Sequence, residues 1–231
     1  MSLSGVVCVV TGASRGIGKG VALQLGEAGA IVYITAKHLT GDDDDPTGAS
    51  LTDVATEVRL RGGHCIPVQC DHAKDADVKT LFEQVTKEQK GQLDILVNNA
   101  FDGIMTMADN LGKPFWEQPI KLWDEIMDVG LRNNYICTVH AAKLMVQRKK
   151  GLIINISSSG GLRYALNVPY GVSKEACDRM ATDCAKELSR FNVAMVSLWP
   201  GHVLTEILEW LMDHDRWNLK IQNVSKSKLN I

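Results

Sequence analysis

Short apolar runs, rich in Val and Ile, alternate along the chain with longer stretches in which apolar residues recur at helical spacing. Near-continuous apolar runs are typical of strands that are covered on both faces. We predict strands at Val6–Thr11, Ile31–Thr35, Cys65–Cys70, Leu93–Asn98, Leu152–Ser157 and Val193–Leu198. We predict helices at about Gly18–Gly29, Ser50–Gly62, Ala76–Lys90, Leu122–Lys149 and Val172–Phe191. Because strands that alternate with helices form right-handed βαβ units, the pattern predicts an α/β fold: a single-domain, doubly wound parallel sheet.

Two polar segments interrupt this alternation. The segment from Thr40 to Ser50 contains the acidic run Asp42–Asp45 and turn-forming residues, so we predict a solvated loop there. The stretch after Asn218 is short, polar and irregular. We therefore place one domain at residues 1–218 and predict that residues 219–231 form a short, frayed tail.

Composition narrows the class of protein. The 231 residues are 45% hydrophobic and 23% charged, which suits a chain that buries a core. The net charge is −2 and basic residues are spread among acidic ones, which argues against a nucleic-acid partner. No apolar run reaches the roughly 20 residues that span a bilayer, so we expect no transmembrane segment.

The six cysteines form no CxxC pair, and neither the cysteines nor the six histidines show the spacing of metal ligands. We expect buried, reduced thiols, no metal site and a cytoplasmic location. Peripheral association with the endoplasmic reticulum stays open.

A glycine-rich turn follows the first predicted strand and opens the first predicted helix. It runs Thr11-Gly12-Ala13-Ser14-Arg15-Gly16-Ile17-Gly18. Glycines permit a tight turn and a close approach of the backbone, and a helix N-terminus offers unpaired N–H groups to a pyrophosphate. The turn therefore predicts a dinucleotide-binding site.

Tyr170 and Lys174 are four residues apart in a stretch that we predict to be helical, so they lie on one face. A phenol is a poor acid–base group at neutral pH. A nearby ammonium, together with the positive charge of an oxidised nicotinamide, would lower the pKa of the phenol. Ser158 follows the fifth predicted strand, at the edge of the sheet where open α/β folds bind ligands, and would bind the same substrate oxygen.

Five motifs in this order resemble the short-chain dehydrogenase/reductase family: Gly12-x-x-x-Gly16-x-Gly18, Asn98-Asn99-Ala100, Ser157-Ser158, Tyr170-x-x-x-Lys174 and Pro200-Gly201. The resemblance extends from about Val6 to Thr205. The runs Asn167–Gly171 and Ser197–Gly201 resemble one branch of that family. The family implies a Rossmann fold and a nicotinamide dinucleotide cofactor, with Ser158, Tyr170 and Lys174 as catalytic residues.

The resemblance also implies the residues that contact the cofactor. They are Gly12, Ser14, Arg15, Gly16, Ile17, Gly18, Lys37, Asp71, Asn98, Ala100, Tyr170, Lys174, Pro200, Gly201, Val203 and Thr205. After the second strand the chain has Ala36-Lys37 and no acid, and Arg15 adds a second cation. We therefore expect NADP(H) to be preferred over NAD(H). Asp71 resembles an adenine-contacting acid, and a role as N-cap of the next helix is the alternative.

Three departures from the family put its activity in doubt. Phe101 stands where the family has glycine, and Gly130 stands where it often has a catalytic asparagine, so we expect a bend or opening of the helix there. Asn134 is a candidate substitute. The stretch Glu206–Trp217 is predicted to be a helix that either covers the substrate cleft or simply packs, and we expect the sheet to lack the family's usual seventh strand.

Two hypotheses follow. The first is an NADPH-dependent oxidoreductase that reduces a carbonyl, or oxidises the alcohol, of a small to medium lipophilic substrate. The apolar residues that we expect around the cleft are Phe101, Leu162, Tyr164, Trp199 and Leu204. The second is a dinucleotide-binding or interaction protein without efficient catalysis. A homo-oligomer formed through the helices that follow strands 4 and 5 stays open.

Overall fold

Six parallel strands form one sheet in the computed structural model, which describes residues 2–41 and 45–217. The strands are β1 (Val7–Val10), β2 (Ile31–Ala36), β3 (His64–Gln69), β4 (Ile95–Asn98), β5 (Gly151–Ile156) and β6 (Val193–Leu198). Their order across the sheet is β3-β2-β1-β4-β5-β6, with every pair parallel. The prediction of a doubly wound parallel sheet is confirmed. The strand order reverses between β1 and β4, which places a ligand crevice beyond their carboxyl ends.

Eight α-helices connect or follow these strands within the described residues. They are α1 (Gly16–Glu27), α2 (Leu51–Leu60), α3 (Asp75–Glu88), α4 (Ile104–Asp109), α5 (Lys121–Met127), α6 (Asn133–Arg148), α7 (Val168–Leu188) and α8 (Glu206–Asp213). The sequence did not predict the short helix α4. Helix α7 begins four residues earlier than predicted because the Asn167 side chain caps it, accepting from the Tyr170 N–H at 2.8 Å.

The helix predicted over Leu122–Lys149 is broken in the structure. A π-helical turn at Asp128–Arg132 separates α5 from α6, and Val129 and Gly130 within it have non-helical backbone angles. The expected opening at Gly130 is therefore confirmed.

Alternate residues of β1 pack into the two faces of the sheet. Val7 and Val9 join the apolar cluster under α3, α6 and α7, whereas Cys8 and Val10 join the cluster under α1 and α2. A third cluster joins α4, α5 and α8 beside the carboxyl edge of the sheet. All six cysteines are free and five are buried, as expected.

Parts of three expectations lie outside the described residues: the tail at 219–231, the question of a seventh strand, and residues 42–44 of the acidic loop. Within residues 2–41 and 45–217, no helix is both long and apolar enough to cross a membrane.

Candidate active site

The glycine turn brings the backbone of β1, α1 and the segment after β4 into direct contact. Gly12 and Gly16 have φ of 63° and 57°, which favour glycine. A Cβ on Gly12 would lie 2.7 Å from the Ala100 Cα atom. A Cβ on Gly18 would lie 2.4 Å from the Gly12 carbonyl oxygen. The turn therefore depends on glycine at these positions.

Thr11 and Asn99 hold this turn in place. The Asn99 side-chain amide donates to the carbonyl oxygens of Thr11 and Gly12 at 2.9 and 2.8 Å. The Thr11 hydroxyl accepts from the backbone N–H groups of Asn99 and Ala100 at 2.9 and 3.0 Å. Both residues lie within motifs of the sequence, but the sequence predicted no role for either. Only the fold brings the two segments together.

The part of the cleft beside the glycine turn and the start of α1 is called the phosphate end. Carboxylates there pair with cationic side chains and with a backbone N–H group. The Gly16 N–H, at the start of α1, donates to the Glu206 carboxylate at 2.7 Å. Arg15 forms an ion pair with Asp45, and Lys19 lies 3.2 Å from Glu57. An anion thus already sits on the helix N-terminus, so the turn fits the pyrophosphate of a dinucleotide.

A cavity of about 210 Å³ adjoins this end. It is lined by Ser14, Arg15, Lys19, Thr47, Gly48, Ala49, Ser50, Asp53, Val54, Glu57 and Glu206. Lys37 is exposed just beyond β2. The N-cap role considered for Asp71 is wrong, because Lys74 occupies that position and the Asp71 carboxylate instead accepts from the Ala73 N–H at 3.1 Å.

Ser158, Tyr170 and Lys174 converge beyond the carboxyl end of β5. The Ser158 hydroxyl lies close enough to the Tyr170 phenol to lower its pKa, and it accepts from the Gly160 N–H at 3.1 Å. The Lys174 Nζ atom lies 5.7 Å from the centroid of the Tyr170 ring and donates to the Ile156 carbonyl oxygen at 3.1 Å. The structure thus brings together the three residues that the sequence selected.

Burial works against the charged form of both titratable groups. Burial raises the pKa of Tyr170, and the hydrogen bond from Ser158 only partly offsets it. Burial also lowers the pKa of Lys174, opposed by Cys177 and Asp178 on the same helix. The sequence led us to expect a lowered pKa for Tyr170 in the presence of an oxidised nicotinamide. The protein's own groups shift it the other way.

Two glycines that the sequence analysis missed allow α7 to approach Ser158. A Cβ on Gly160 would lie 2.7 Å from Tyr170 Cε1, and one on Gly161 would lie 2.8 Å from the Glu175 nitrogen. The available signal was a Gly-Gly pair two residues after the predicted catalytic serine.

Comparison with known proteins decides the family. The family model for the short chain dehydrogenase matches residues 6–215. The chain belongs to the short-chain dehydrogenase/reductase family. It is 54% identical over 210 residues to dehydrogenase/reductase SDR family member 1 of Mus musculus, covering 91% of this chain. This is the branch that the runs Asn167–Gly171 and Ser197–Gly201 resemble. The chain spans 64% of that relative's length.

Solved structures of this family have the same fold. A metagenomic short-chain oxidoreductase in complex with NADP has a TM-score of 0.76 and 31% identity, covering 94% of this chain and 92% of its own. A 7α-hydroxysteroid dehydrogenase complexed with NADH and 7-oxo glycochenodeoxycholic acid has a TM-score of 0.77 and 26% identity, covering 91% of this chain and 76% of its own. Both nicotinamide dinucleotides are therefore bound by structures of this shape.

One departure from the family pattern, Gly130, lies in the π-helical turn. The Gly130 carbonyl oxygen accepts from the Asn134 side-chain amide at 2.9 Å and from the Cys177 thiol at 3.2 Å. The Gly130 N–H donates to the Asn133 side chain at 2.7 Å. Asn134, the candidate substitute for the missing asparagine, thus binds the turn itself.

Asn98 lies below the cleft in a buried polar network. Its side-chain amide donates to the Thr138 hydroxyl at 3.1 Å and to the Asn155 side chain at 2.9 Å. Asn155 in turn donates to the Cys177 carbonyl oxygen at 3.3 Å. The Asn98 side chain therefore ties β4 to β5 and α6, while the cofactor contact implied for this residue stays a prediction.

The segment 200–205 lies against the glycine turn. A Cβ on Gly16 would lie 3.0 Å from the Thr205 methyl group, and the Thr205 hydroxyl caps α8. Pro200, Gly201 and Val203 precede it on the same segment. The Trp199 indole nitrogen donates to Asp178 at 3.1 Å. Its place near the cleft stays a prediction.

Proposed function

We propose that the chain is an NADP(H)-dependent oxidoreductase that reduces a carbonyl, or oxidises the alcohol, of a small to medium lipophilic substrate. The observation that carries this proposal is the convergence of Ser158, Tyr170 and Lys174 at the sheet edge that also bears the anion-binding glycine turn. The bound nicotinamide would supply or accept the hydride.

The three side chains divide the remaining work. The Tyr170 phenol donates a proton to the substrate oxygen during reduction and takes it back during oxidation. The Ser158 hydroxyl, which lies beside the phenol, offers a second hydrogen bond to that oxygen. The Lys174 ammonium favours the phenolate by its charge.

Replacing Tyr170 by Phe tests this assignment. We expect turnover of a carbonyl panel to fall by roughly 10²- to 10⁴-fold while NADPH affinity, measured by fluorescence titration, stays within about twofold. Tyr135→Phe is the matched control, because Tyr135 lies on α6, has no assigned role in the site and is 54% exposed. Unchanged turnover in Tyr170→Phe would refute the mechanism.

Arg15 and Lys37 support the preference for NADP(H), since no acid follows β2 to bind a ribose 2′-hydroxyl. The ion pair between Arg15 and Asp45 means that a 2′-phosphate must compete with a carboxylate for Arg15. We expect Arg15→Ala and Lys37→Ala to weaken NADPH binding by about tenfold and NADH binding by less than twofold. The exposed Lys79→Ala, on α3, is the control. An equal loss for both dinucleotides would overturn the preference.

A lipophilic substrate is supported by the surroundings of Tyr170. Tyr170 packs against the third apolar cluster, from α4, α5 and α8, as do the partly buried residues Phe101, Leu166, Leu208 and Met212. We expect apolar carbonyl compounds to have lower KM than polar ones of the same size in a turnover panel. The reverse ranking would contradict this assignment.

Gly130 favours a second candidate, a dinucleotide-binding protein without efficient catalysis, because the turn lacks the side chain that the family often uses there. Selective NADPH binding, with a raised melting temperature and no turnover of any carbonyl in the panel, would support this candidate.

A further inference from the structure

The ring of Phe101 lies between Gly130 and the Lys174 ammonium. The Lys174 Nζ atom is 4.9 Å from the centroid of the Phe101 ring, over its face. The same ring meets the Tyr170 ring edge-on, with centroids 6.0 Å apart and an interplanar angle of 84°. Phe101 is therefore in contact with both the phenol and the ammonium of the candidate active site.

Lys174 needs a partner of this kind. An ammonium has three N–H donors, and within the described part of the chain Lys174 makes one hydrogen bond, to the Ile156 carbonyl oxygen. Its side chain is buried, and the groups that act on its charge are Cys177 and Asp178, both on α7. An aromatic face stabilises a desolvated cation and also fixes its position.

Gly130 provides the space for this ring. A Cβ on Gly130 would lie 3.0 Å from Phe101 Cδ2 and 3.4 Å from Cε2. The two segments are also tied together, because the Asp102 N–H donates to the Val129 carbonyl oxygen at 2.8 Å. Any side chain at position 130 therefore pushes on the ring, and through it on Lys174.

We propose that Phe101 is a positioning residue, which holds the Lys174 ammonium beside Tyr170. The absence of a side chain at Gly130 leaves room for the Phe101 ring in that position. The two departures from the family pattern are then one coupled feature. Its effect on turnover depends on the proposed function, whereas its effect on the ionisation of Tyr170 requires only that the dinucleotide binds.

Phe101→Leu removes the aromatic face and keeps an apolar side chain. The readout is a spectrophotometric titration of tyrosine ionisation in the presence of saturating NADP⁺, whose positive nicotinamide would lower the Tyr170 pKa into the range where Lys174 is still charged. For each variant, Tyr170 is isolated by subtracting the curve of the same variant that also carries Tyr170→Phe. We expect the midpoint to rise by about one pH unit, and turnover at neutral pH to fall by about tenfold with the substrate KM within twofold. Phe101→Tyr keeps the aromatic face and should leave the midpoint near that of the wild type.

Phe115→Leu is the matched control, because that ring is 63% exposed and packs on Trp116. It should change neither the midpoint nor the turnover. A merely structural role for Phe101 would lower the melting temperature and leave the midpoint and the pH profile where they are, and that result would overturn the proposal.

A double-mutant cycle tests the coupling. We expect Gly130→Asn alone to raise the Tyr170 midpoint, and the same substitution to have little further effect once Phe101→Gly has removed the ring. Additive shifts would overturn the coupling between the two positions. Gly130→Ala serves the same purpose where Gly130→Asn does not fold.

The two proposals fail separately. A wild-type chain that turns over no carbonyl would contradict the proposed function, while the midpoints of Phe101→Leu and Phe101→Tyr would still support or refute the positioning role.

Discussion

The phosphate end of the cleft presents backbone N–H groups around Gly16, whereas the chemistry end presents the side chains of Ser158, Tyr170 and Lys174. At the phosphate end the backbone segments touch, and a Cβ on Gly18 would lie 2.4 Å from a carbonyl oxygen. At the chemistry end a Cβ on Gly130 would meet the movable ring of Phe101 at 3.0 Å. An added methyl group therefore cannot be accommodated at the phosphate end without moving backbone atoms. At the chemistry end the Phe101 ring can move instead, and the surroundings of the Lys174 charge then change.

Charge is also handled differently at the two ends. The cations and N–H groups of the phosphate end are partly exposed and already paired with Asp45, Glu57 and Glu206. The cation of the chemistry end is buried against an aromatic face. Substitutions at the phosphate end should therefore change affinity, and those at the chemistry end should change ionisation and rate.

The largest effect is expected from a single methyl group at the phosphate end. Gly18→Ala places a Cβ against the Gly12 carbonyl oxygen and 2.5 Å from the Asn99 side-chain nitrogen, so we expect cofactor affinity to fall by more than about 100-fold. Gly20→Ala is the control, because nothing lies within 4 Å of its Cβ. It should keep the affinity and stabilise α1 by about 1 kcal/mol. Equal affinities of both variants in an NADPH titration would refute the close-contact argument.

His72, in the segment between β3 and α3, offers a test through the pH dependence of folding stability. It is buried, with its Nε2 atom 2.7 Å from the Thr35 hydroxyl. Burial lowers the pKa of His72 from 6.5 to about 4, although Asp71 and Asp77 oppose the shift. Between these values the unfolded chain takes up a proton and the folded chain does not, so stability falls as the pH drops from 6.5 towards 4. The loss is about 3 kcal/mol.

Urea unfolding at pH 7 and pH 4.5 measures this contribution. His72→Gln should lose most of the pH-dependent difference that the wild type shows, whereas the exposed His202→Gln should keep it. The same difference in wild type and His72→Gln would show that folding does not lower the pKa of His72.

Asn99→Ala should have an intermediate effect. It removes two hydrogen bonds to the carbonyl oxygens of the turn, worth about 1–2 kcal/mol together, so cofactor affinity should fall by about tenfold. Asn110→Ala is the control, because Asn110 also donates to a backbone carbonyl, that of Thr106, but away from the turn. Equal losses of affinity in an NADPH titration would contradict a specific role for Asn99.

The sequence predicted those parts of the site that depend on local spacing. Glycine spacing within one turn, and the four-residue interval between Tyr170 and Lys174 on a helix, are readable because neighbours in sequence are neighbours in space. The six strands were predicted for the same reason, to within two residues at each end. The part played by Asn99 depends on the pairing of β1 with β4, across 88 residues, which no local pattern contains.

The relation between the two departures from the family pattern could be recognised only in the three-dimensional structure. Phe101 and Gly130 were each noticed as unusual, but their complementarity depends on where α5 and α6 break. The charges that face Arg15 and Gly16 come from Asp45 and Glu206, which are 30 and 190 residues away. Their placement follows from tertiary packing rather than from propensity.

Glu206 provides the smallest predicted effect. Its carboxylate accepts from the Gly16 N–H at the position where a dinucleotide would present its pyrophosphate, so the two anions compete for one helix N-terminus. Glu206→Gln weakens that competitor by about 0.3–1 kcal/mol, and we expect NADPH to bind about two- to fivefold more tightly. The free protein should melt slightly earlier, because the favourable charge at the start of α1 is lost.

Glu209→Gln is the matched control, since Glu209 lies in the same first turn of α8 and is exposed. It should change neither the affinity nor the melting temperature. Glu206→Gln should bind NADPH more tightly while its melting temperature falls. A variant that only disturbed the structure of α8 would lose stability and affinity together, so these opposite changes indicate that the carboxylate competes with the cofactor. Weaker NADPH binding by Glu206→Gln would instead mean that the carboxylate helps to hold the bound cofactor.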